Sequence, residues 1–276
     1  MAVLDRALAD GVEKVMLTGM SLNDVPFNLQ IANSRPSQCF ITIGVHPYHA
    51  SEPYVEADYF DRLASAIHDA LRLNPCPLAA FGEIGLDFDR LQRCSKEDQV
   101  RTFRSQLDLF VANEFDLPLF LHCRGAFDDF FNILQEYLPH LPRRGLVHSF
   151  VGNTNQMQAL VGIGFDISVN GFSFQDAESL KMVRDIPMEH LQIETDSPWG
   201  EIPARSDLAL RYLTNAPPLP ASKKRDKFQI GAMVKGRNES CCINRVAFVV
   251  AGLKGMTVDE ICDVAWTNST KMFRLE

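Results

Sequence analysis

The chain has no surplus of positive charge. With 27 Lys and Arg against 35 Asp and Glu its net charge is −8, which excludes a broadly basic nucleic-acid surface and leaves room only for a local one. It has no CxxC pair. The seven cysteines, at 39, 76, 94, 123, 241, 242 and 262, are odd in number, which argues against a disulfide scaffold and for reduced thiols in the cytosol or nucleus. The residues after Met1, Ala-Val-Leu-Asp-Arg, lack the basic start and apolar core of a signal peptide. The longest apolar run, Val246 to Leu253, is too short to span a bilayer, so no membrane partner is expected. No GxGxxG or Walker loop opens a helix. There is no internal repeat, and no low-complexity tract beyond a Pro-rich stretch near 200–230.

What remains is ordinary globular composition, 46% hydrophobic and 22% charged over 276 residues, the size of a single α/β barrel. The chain opens on a helix, with Val3, Leu4, Ala7 and Leu8 on one face and Gly11 as its stop. Short apolar strands near 15, 41, 80, 119, 146, 167 and 193 then alternate with helical stretches at 23–33, 57–73, 100–111, 127–138, 155–161 and 177–184. Such alternation predicts a parallel sheet with both faces covered, in one domain over 1–276. A closed (β/α)8 barrel needs eight strands, and the helix-first start makes the first strand the absent one. Residues 200–230 read as a long loop carrying Lys223, Lys224 and Arg225, and 238–253 and 257–273 as closing helices.

The chemistry gathers at strand ends. Pro77 to Phe81 predicts a buried strand that runs into Glu83, between Gly82 and Gly85. A carboxylate there is costly unless it is paired or bound to a metal, so Glu83 is either a ligand or half of an ion pair. His122, His148 and Asp196 each end another apolar strand. In a parallel barrel all such ends open on one face, where two imidazoles and two carboxylates suit a divalent metal or a pair bridged by a carboxylate. The alternative is a set of satisfied core histidines and capping carboxylates.

Gly44-Val45-His46-Pro47, Gly82-Glu83-Ile84-Gly85-Leu86-Asp87, Leu121-His122-Cys123-Arg124, His148-Ser149-Phe150 and Glu194-Thr195-Asp196-Ser197-Pro198 resemble the motif series of the TatD family of metal-dependent deoxyribonucleases. Gly236-Arg237-Asn238-Glu239 is similar to a later family element, and the likeness covers almost the whole chain. Gly-Leu-Asp-Phe-Asp-Arg and the long loop before Arg237 point to the eukaryotic branch. The resemblance implies a TIM barrel of the amidohydrolase type and phosphodiester hydrolysis with two divalent metals. Glu83 would bridge both, His122 and His148 would complete one site, and Asp196 would bind the other and accept a proton. The family's first-strand His-x-His motif has no counterpart here.

His46 corresponds to the family's G-x-H-P histidine, expected to contact phosphate or donate a proton, the alternative being a turn-stabilising residue. Arg124 is a candidate phosphate clamp or one side of a surface salt bridge, Trp199 a stacking surface for an unpaired base or a residue packing its loop, and Asp87 a support for the Glu83 loop or a cap of the following turn. The expected substrate is DNA, at single strands or ends, with no obligate protein partner. Two other functions fit the same residues: a small-molecule hydrolase of the amidohydrolase type, and a non-catalytic protein keeping a partial site.

Overall fold

A computed structural model describes residues 2–275. They form two compact units, residues 14–148, 160–166 and 269–275 in one, and 2–13, 149–159 and 167–268 in the other.

The first unit is built on parallel strands in chain order: β1 (Val15–Leu17), β2 (Cys39–Ile43), β3 (Leu78–Asp87), β4 (Leu119–Arg124) and β5 (Gly145–Val147). Between them run α2 (Val25–Ser34), α3 (Tyr59–Leu71), α4 (Lys96–Ala112) and α5 (Phe127–Tyr137). Every residue of β2 and β3 is buried, which is why these strands read as continuous apolar runs. Helix α4 starts where the Ser95 hydroxyl accepts from the Asp98 N–H. It buries Phe103, Gln106, Leu107 and Phe110 at helical spacing, and Phe103 stacks on Phe130 of α5 with ring centroids 5.5 Å apart. Each such buried ring contributes roughly 1.5–3 kcal/mol.

The second unit holds α1 (Ala2–Ala9), the β6–β7 pair, α7 (Ala177–Asp185), α8 (Asp207–Tyr212), the short parallel pair β8–β9 (Ser222–Lys223 and Met233–Val234) and α9 (Ile243–Lys254). Strands β6 (Asp166–Val169) and β7 (Leu191–Ile193) pair in parallel from Ile167↔Leu191 to Val169↔Ile193. The Arg6 guanidinium of α1 grips Glu239 with two bonds of 2.8 Å. Helices α6 (Thr154–Gly162) and α10 (Val258–Phe273) complete the described elements. No single helix among the described residues is long and apolar enough to cross a membrane.

All seven expected strands are present. Several boundaries differ. The stretch 200–230 is not wholly loop: Ser206 accepts from the Ala209 N–H and starts the six-residue α8, a local signal that the surrounding prolines obscure. The helix expected from Asn238 starts at Ile243, because 240–242 form a 3₁₀ turn and Asn238 is engaged elsewhere. Glu83 does not end its strand, since β3 continues to Asp87.

Candidate metal centre

The continuation of β3 has a local cause. Its register with β4 runs Phe81↔Leu119, Gly82↔Phe120, then Ile84↔Leu121, so Glu83 is the extra residue at a bulge. A bulge needs the neighbouring backbones close together. A Cβ at Gly82 would lie 2.2 Å from the Phe120 carbonyl oxygen, and one at Gly85 would lie 2.0 Å from that of His122. Only glycine fits at either position. The two glycines therefore serve the Glu83 carboxylate by letting β3 bulge against β4.

Four side chains of the first unit meet there. Glu83 Oε1 is 2.6 Å from His148 Nε2, 2.8 Å from His122 Nδ1 and 3.3 Å from His46 Nε2. His46, Glu83 and His122 each offer a ligand atom within 4.8 Å of the others. His46 follows β2, and His148 follows β5 directly and stacks on Phe120 at 4.9 Å. His122 lies within β4, two residues before its end.

Hydrogen bonds divide the histidines. His46 is buried, and burial pulls its pKa down against the attraction of Glu83, which favours the neutral ring. Its Nδ1 accepts from the Tyr48 N–H at 3.1 Å, which leaves the single proton on Nε2, facing Glu83. In this tautomer His46 is a donor, not a ligand. His122 has the opposite arrangement: its Nε2 lies 3.2 Å from Asp87 Oδ2, which fixes a proton there and leaves Nδ1 facing Glu83 and His148. Burial alone would lower the His122 value, but the bonds to Asp87 and Glu83 outweigh it and raise it. For Glu83, burial pushes upward, and the His148 and His46 rings with the His122 bond hold it well below the usual carboxylate range.

This donor set fits a divalent cation. His122 Nδ1 and His148 Nε2 are 3.3 Å apart, both against one carboxylate oxygen. Two imidazole nitrogens and a carboxylate oxygen converging at that spacing are a donor set that a divalent cation takes.

Residues beyond the cluster fix its geometry. Asp87 accepts from the Tyr48 hydroxyl at 3.0 Å, and His122 and Tyr48 lower its pKa against the burial that raises it. Gln99 and Gln106, both buried on α4, use their amides as substitute peptide groups. Gln106 accepts from the Val45 N–H at 2.7 Å and donates to the Val45 carbonyl at 2.9 Å. Gln99 does the same to Asp87, at 2.8 and 3.0 Å. The backbones beside His46 and at Asp87 are thus clamped by one helix. These glutamines escape a sequence reading that follows charged and metal-binding residue types. The available signal was two amides seven apart inside the apolar stripe of α4.

Arg124 ends β4 opposite Asp87, whose carboxylate it attracts. In the second unit Asp196 lies three residues past β7 with φ +51°, a left-handed conformation that Asp tolerates, and its carbonyl accepts from the Trp199 N–H at 2.8 Å. Trp199 is 67% exposed. Asn238 secures this turn: its amide donates to the carbonyls of Thr195 and Trp199 at 2.9 and 2.8 Å, and its backbone N–H to Pro198 at 3.0 Å.

Seven parallel strands alternating with helices, with a His/Glu cluster on β3, on β4 and just after β2 and β5, are of the hydrolase TIM-barrel type with a candidate metal site. The comparisons say which. A family model described as "TatD related DNase" matches residues 1–274. "Deoxyribonuclease Tat-D" of Schizosaccharomyces pombe is 38% identical over 279 residues, covering 98% of this chain and 86% of that one. The "3'-5' ssDNA/RNA exonuclease TatD" of Erwinia billingiae is 32% identical, covering 99% and 92%. A crystal structure of an uncharacterized amidohydrolase from Saccharomyces cerevisiae superposes with a TM-score of 0.90 at 28% identity, covering 99% and 91%. The chain belongs to the TatD-related DNase family.

Proposed function

We propose that the protein is a metal-dependent deoxyribonuclease that hydrolyses phosphodiester bonds exonucleolytically, at the ends of single-stranded DNA. Family membership supports the reaction class, and the relative named as a 3'-5' ssDNA/RNA exonuclease supports the substrate form. The observation that carries the reading is the convergence of three imidazoles on one oxygen of Glu83.

In this reading Glu83, His122 and His148 would hold a divalent ion, and Asp196 would be a further metal ligand. Bound divalent ions acidify water and neutralise charge on the attacking and leaving oxygens. The chain's own residues do the rest. Asp87 keeps the His122 Nε2 proton in place, so that Nδ1 stays directed at the site. His46 presents its Nε2 proton to a phosphate or leaving oxygen, because Tyr48 occupies its other nitrogen. Arg124 clamps a phosphate, Asp196 accepts the proton of the attacking water, and Trp199 stacks on a base. The seven thiols suit work in the cytosol or nucleus.

The test is hydrolysis of a 5′-labelled single-stranded oligonucleotide by the full chain in Mn²⁺, Mg²⁺ or Zn²⁺, beside simple esters and amides, with metal content measured on the same preparation. Stepwise shortening of the oligonucleotide is expected. Hydrolysis of the small amides with the oligonucleotide untouched would overturn the reading.

A further inference from the structure

Residues 221–237 carry six cations, Lys223, Lys224, Arg225, Lys227, Lys235 and Arg237, against the single acid Asp226, in a chain whose net charge is −8. Several cations elsewhere are paired: Arg6 with Glu239, Arg62 with Glu56, Lys96 with Asp129, Arg104 with Glu136. None of these six makes an ion pair among the described residues. Every residue from Ala221 to Gly231 is exposed, including Phe228 at 53% and Ile230 at 91%. Unpaired like charges on one short loop repel each other, and an exposed aromatic among them leaves apolar area in water. Among the described residues, no ion pair and no burial meets either cost.

The loop is nonetheless anchored. Its base is the β8–β9 pair, where the Met233 N–H donates to Ala221 at 2.9 Å and the Lys235 N–H to Lys223 at 2.8 Å. Met233 is buried against Cys241 and Cys242. One residue after Arg237 comes Asn238, whose three bonds tie the base of the loop to the turn that carries Asp196 and Trp199. The basic segment and the exposed Trp199 therefore belong to one hydrogen-bonded assembly within the second unit.

We propose that residues 221–237 form a docking loop for single-stranded nucleic acid, with phosphates on Lys223, Lys224, Arg225, Lys227 and Lys235 and a base stacked on Phe228. Cations that track a backbone, interleaved with exposed aromatic faces, are what sequence-tolerant single-strand binding requires. The anchor at Asn238 directs the bound strand to the turn of Asp196 and Trp199. This deepens the deoxyribonuclease reading, on which it rests for the fate of the strand but not for its binding.

The experiment measures anisotropy of a 5′-labelled 12-mer with the full chain in chelator, over a salt series. Wild type is compared with the Lys223→Ala/Lys224→Ala/Arg225→Ala/Lys227→Ala variant and with Phe228→Ala. The quadruple variant should bind at least about tenfold more weakly at low salt, and its log K against log salt slope should be shallower by about 3, since each phosphate contact on a single strand contributes roughly 0.7. Phe228→Ala should weaken binding roughly five- to tenfold with the slope unchanged. With metal restored, the loss should fall on KM and leave kcat. All the changed side chains are exposed, and an unaltered melting temperature checks the fold.

Wild-type affinity and slope in the quadruple variant would overturn the docking loop and leave the nuclease reading standing. So would a wild type that sediments with phosphatidylserine vesicles or binds polyglutamate while ignoring the 12-mer. A protein that binds the 12-mer through the loop and never cleaves it would support the loop and overturn the nuclease reading.

Discussion

Glu83 keeps its charge in a buried place because three imidazoles surround it, and substitution separates its two possible roles. Glu83→Gln preserves size and removes the charge that two imidazoles and a cation share. If Glu83 is a ligand, the variant should lose divalent metal and nearly all hydrolysis of DNA, with far-ultraviolet circular dichroism unchanged. An unchanged nuclease rate in Glu83→Gln sinks the mechanism. Acid titration of the metal-free protein gives a second measure. Glu83 and Asp87 both lie below the ordinary carboxylate value. Their stabilisation is complete above the unfolded value near about 4 and is lost as pH falls through the folded values. The melting temperature of metal-free wild type should fall more steeply between about pH 5 and about pH 3 than that of Glu83→Gln. Parallel curves would mean that the Glu83 charge adds nothing to the fold. At this scale the meeting of Glu83, His122 and His148 was legible, because a polar group closing an apolar run is conspicuous. The donor tautomer of His46 was not, because it depends on which backbone N–H its ring meets, and neither was the grip of Asp87 on His122, which depends on how far β3 runs.

Helix α4 touches no candidate ligand with a charged group, yet it sets where two of the site's backbone segments lie. Gln106→Leu keeps the volume and leaves the N–H and C=O of Val45 unsatisfied in a buried place. It should cost roughly 2–4 kcal/mol, read from urea unfolding. Because His46 is the next residue, kcat should fall about tenfold with KM little changed, as expected when a proton donor is displaced. Gln99→Leu should act similarly through Asp87, with divalent affinity reduced roughly ten- to a hundredfold because His122 loses its orientation. A Gln106→Leu protein that is destabilised but keeps its kcat would make the amide purely structural. Elements with a strong period were legible: β1 to β7, and α3 to α5, appeared close to where apolar spacing put them. Helix α8 was hidden by the prolines around it, and the length of β3 by a bulge that only pairing with β4 reveals. Periodicity reports which face is buried, not where a neighbouring strand permits the chain to go on.

For the whole molecule, sequence and comparison meet in the family, and the matching relatives cover nearly all of the chain. What they do not supply is the order in which its parts give way, and exposure does. Lys223, Lys224, Arg225 and Lys227 lie in an unbroken exposed run, whereas Lys96, Arg104, Lys181 and Arg184 sit on helices with carboxylate partners. A protease needs several residues of extended backbone, which a helix withholds until it unfolds and an exposed loop offers at once. Limited trypsin digestion should therefore cut first between 223 and 228. The nicked chain should stay together through the bidentate Arg6–Glu239 pair and the three bonds of Asn238, and should melt within a few degrees of the intact protein. Adding a single-stranded oligonucleotide in chelator should slow that cut and no other, because bound phosphates cover the very side chains trypsin must enter its pocket with. A first cut elsewhere would show that another segment opens more readily than this loop. A cut within the loop that oligonucleotide leaves unslowed would show that the strand is held without its lysines.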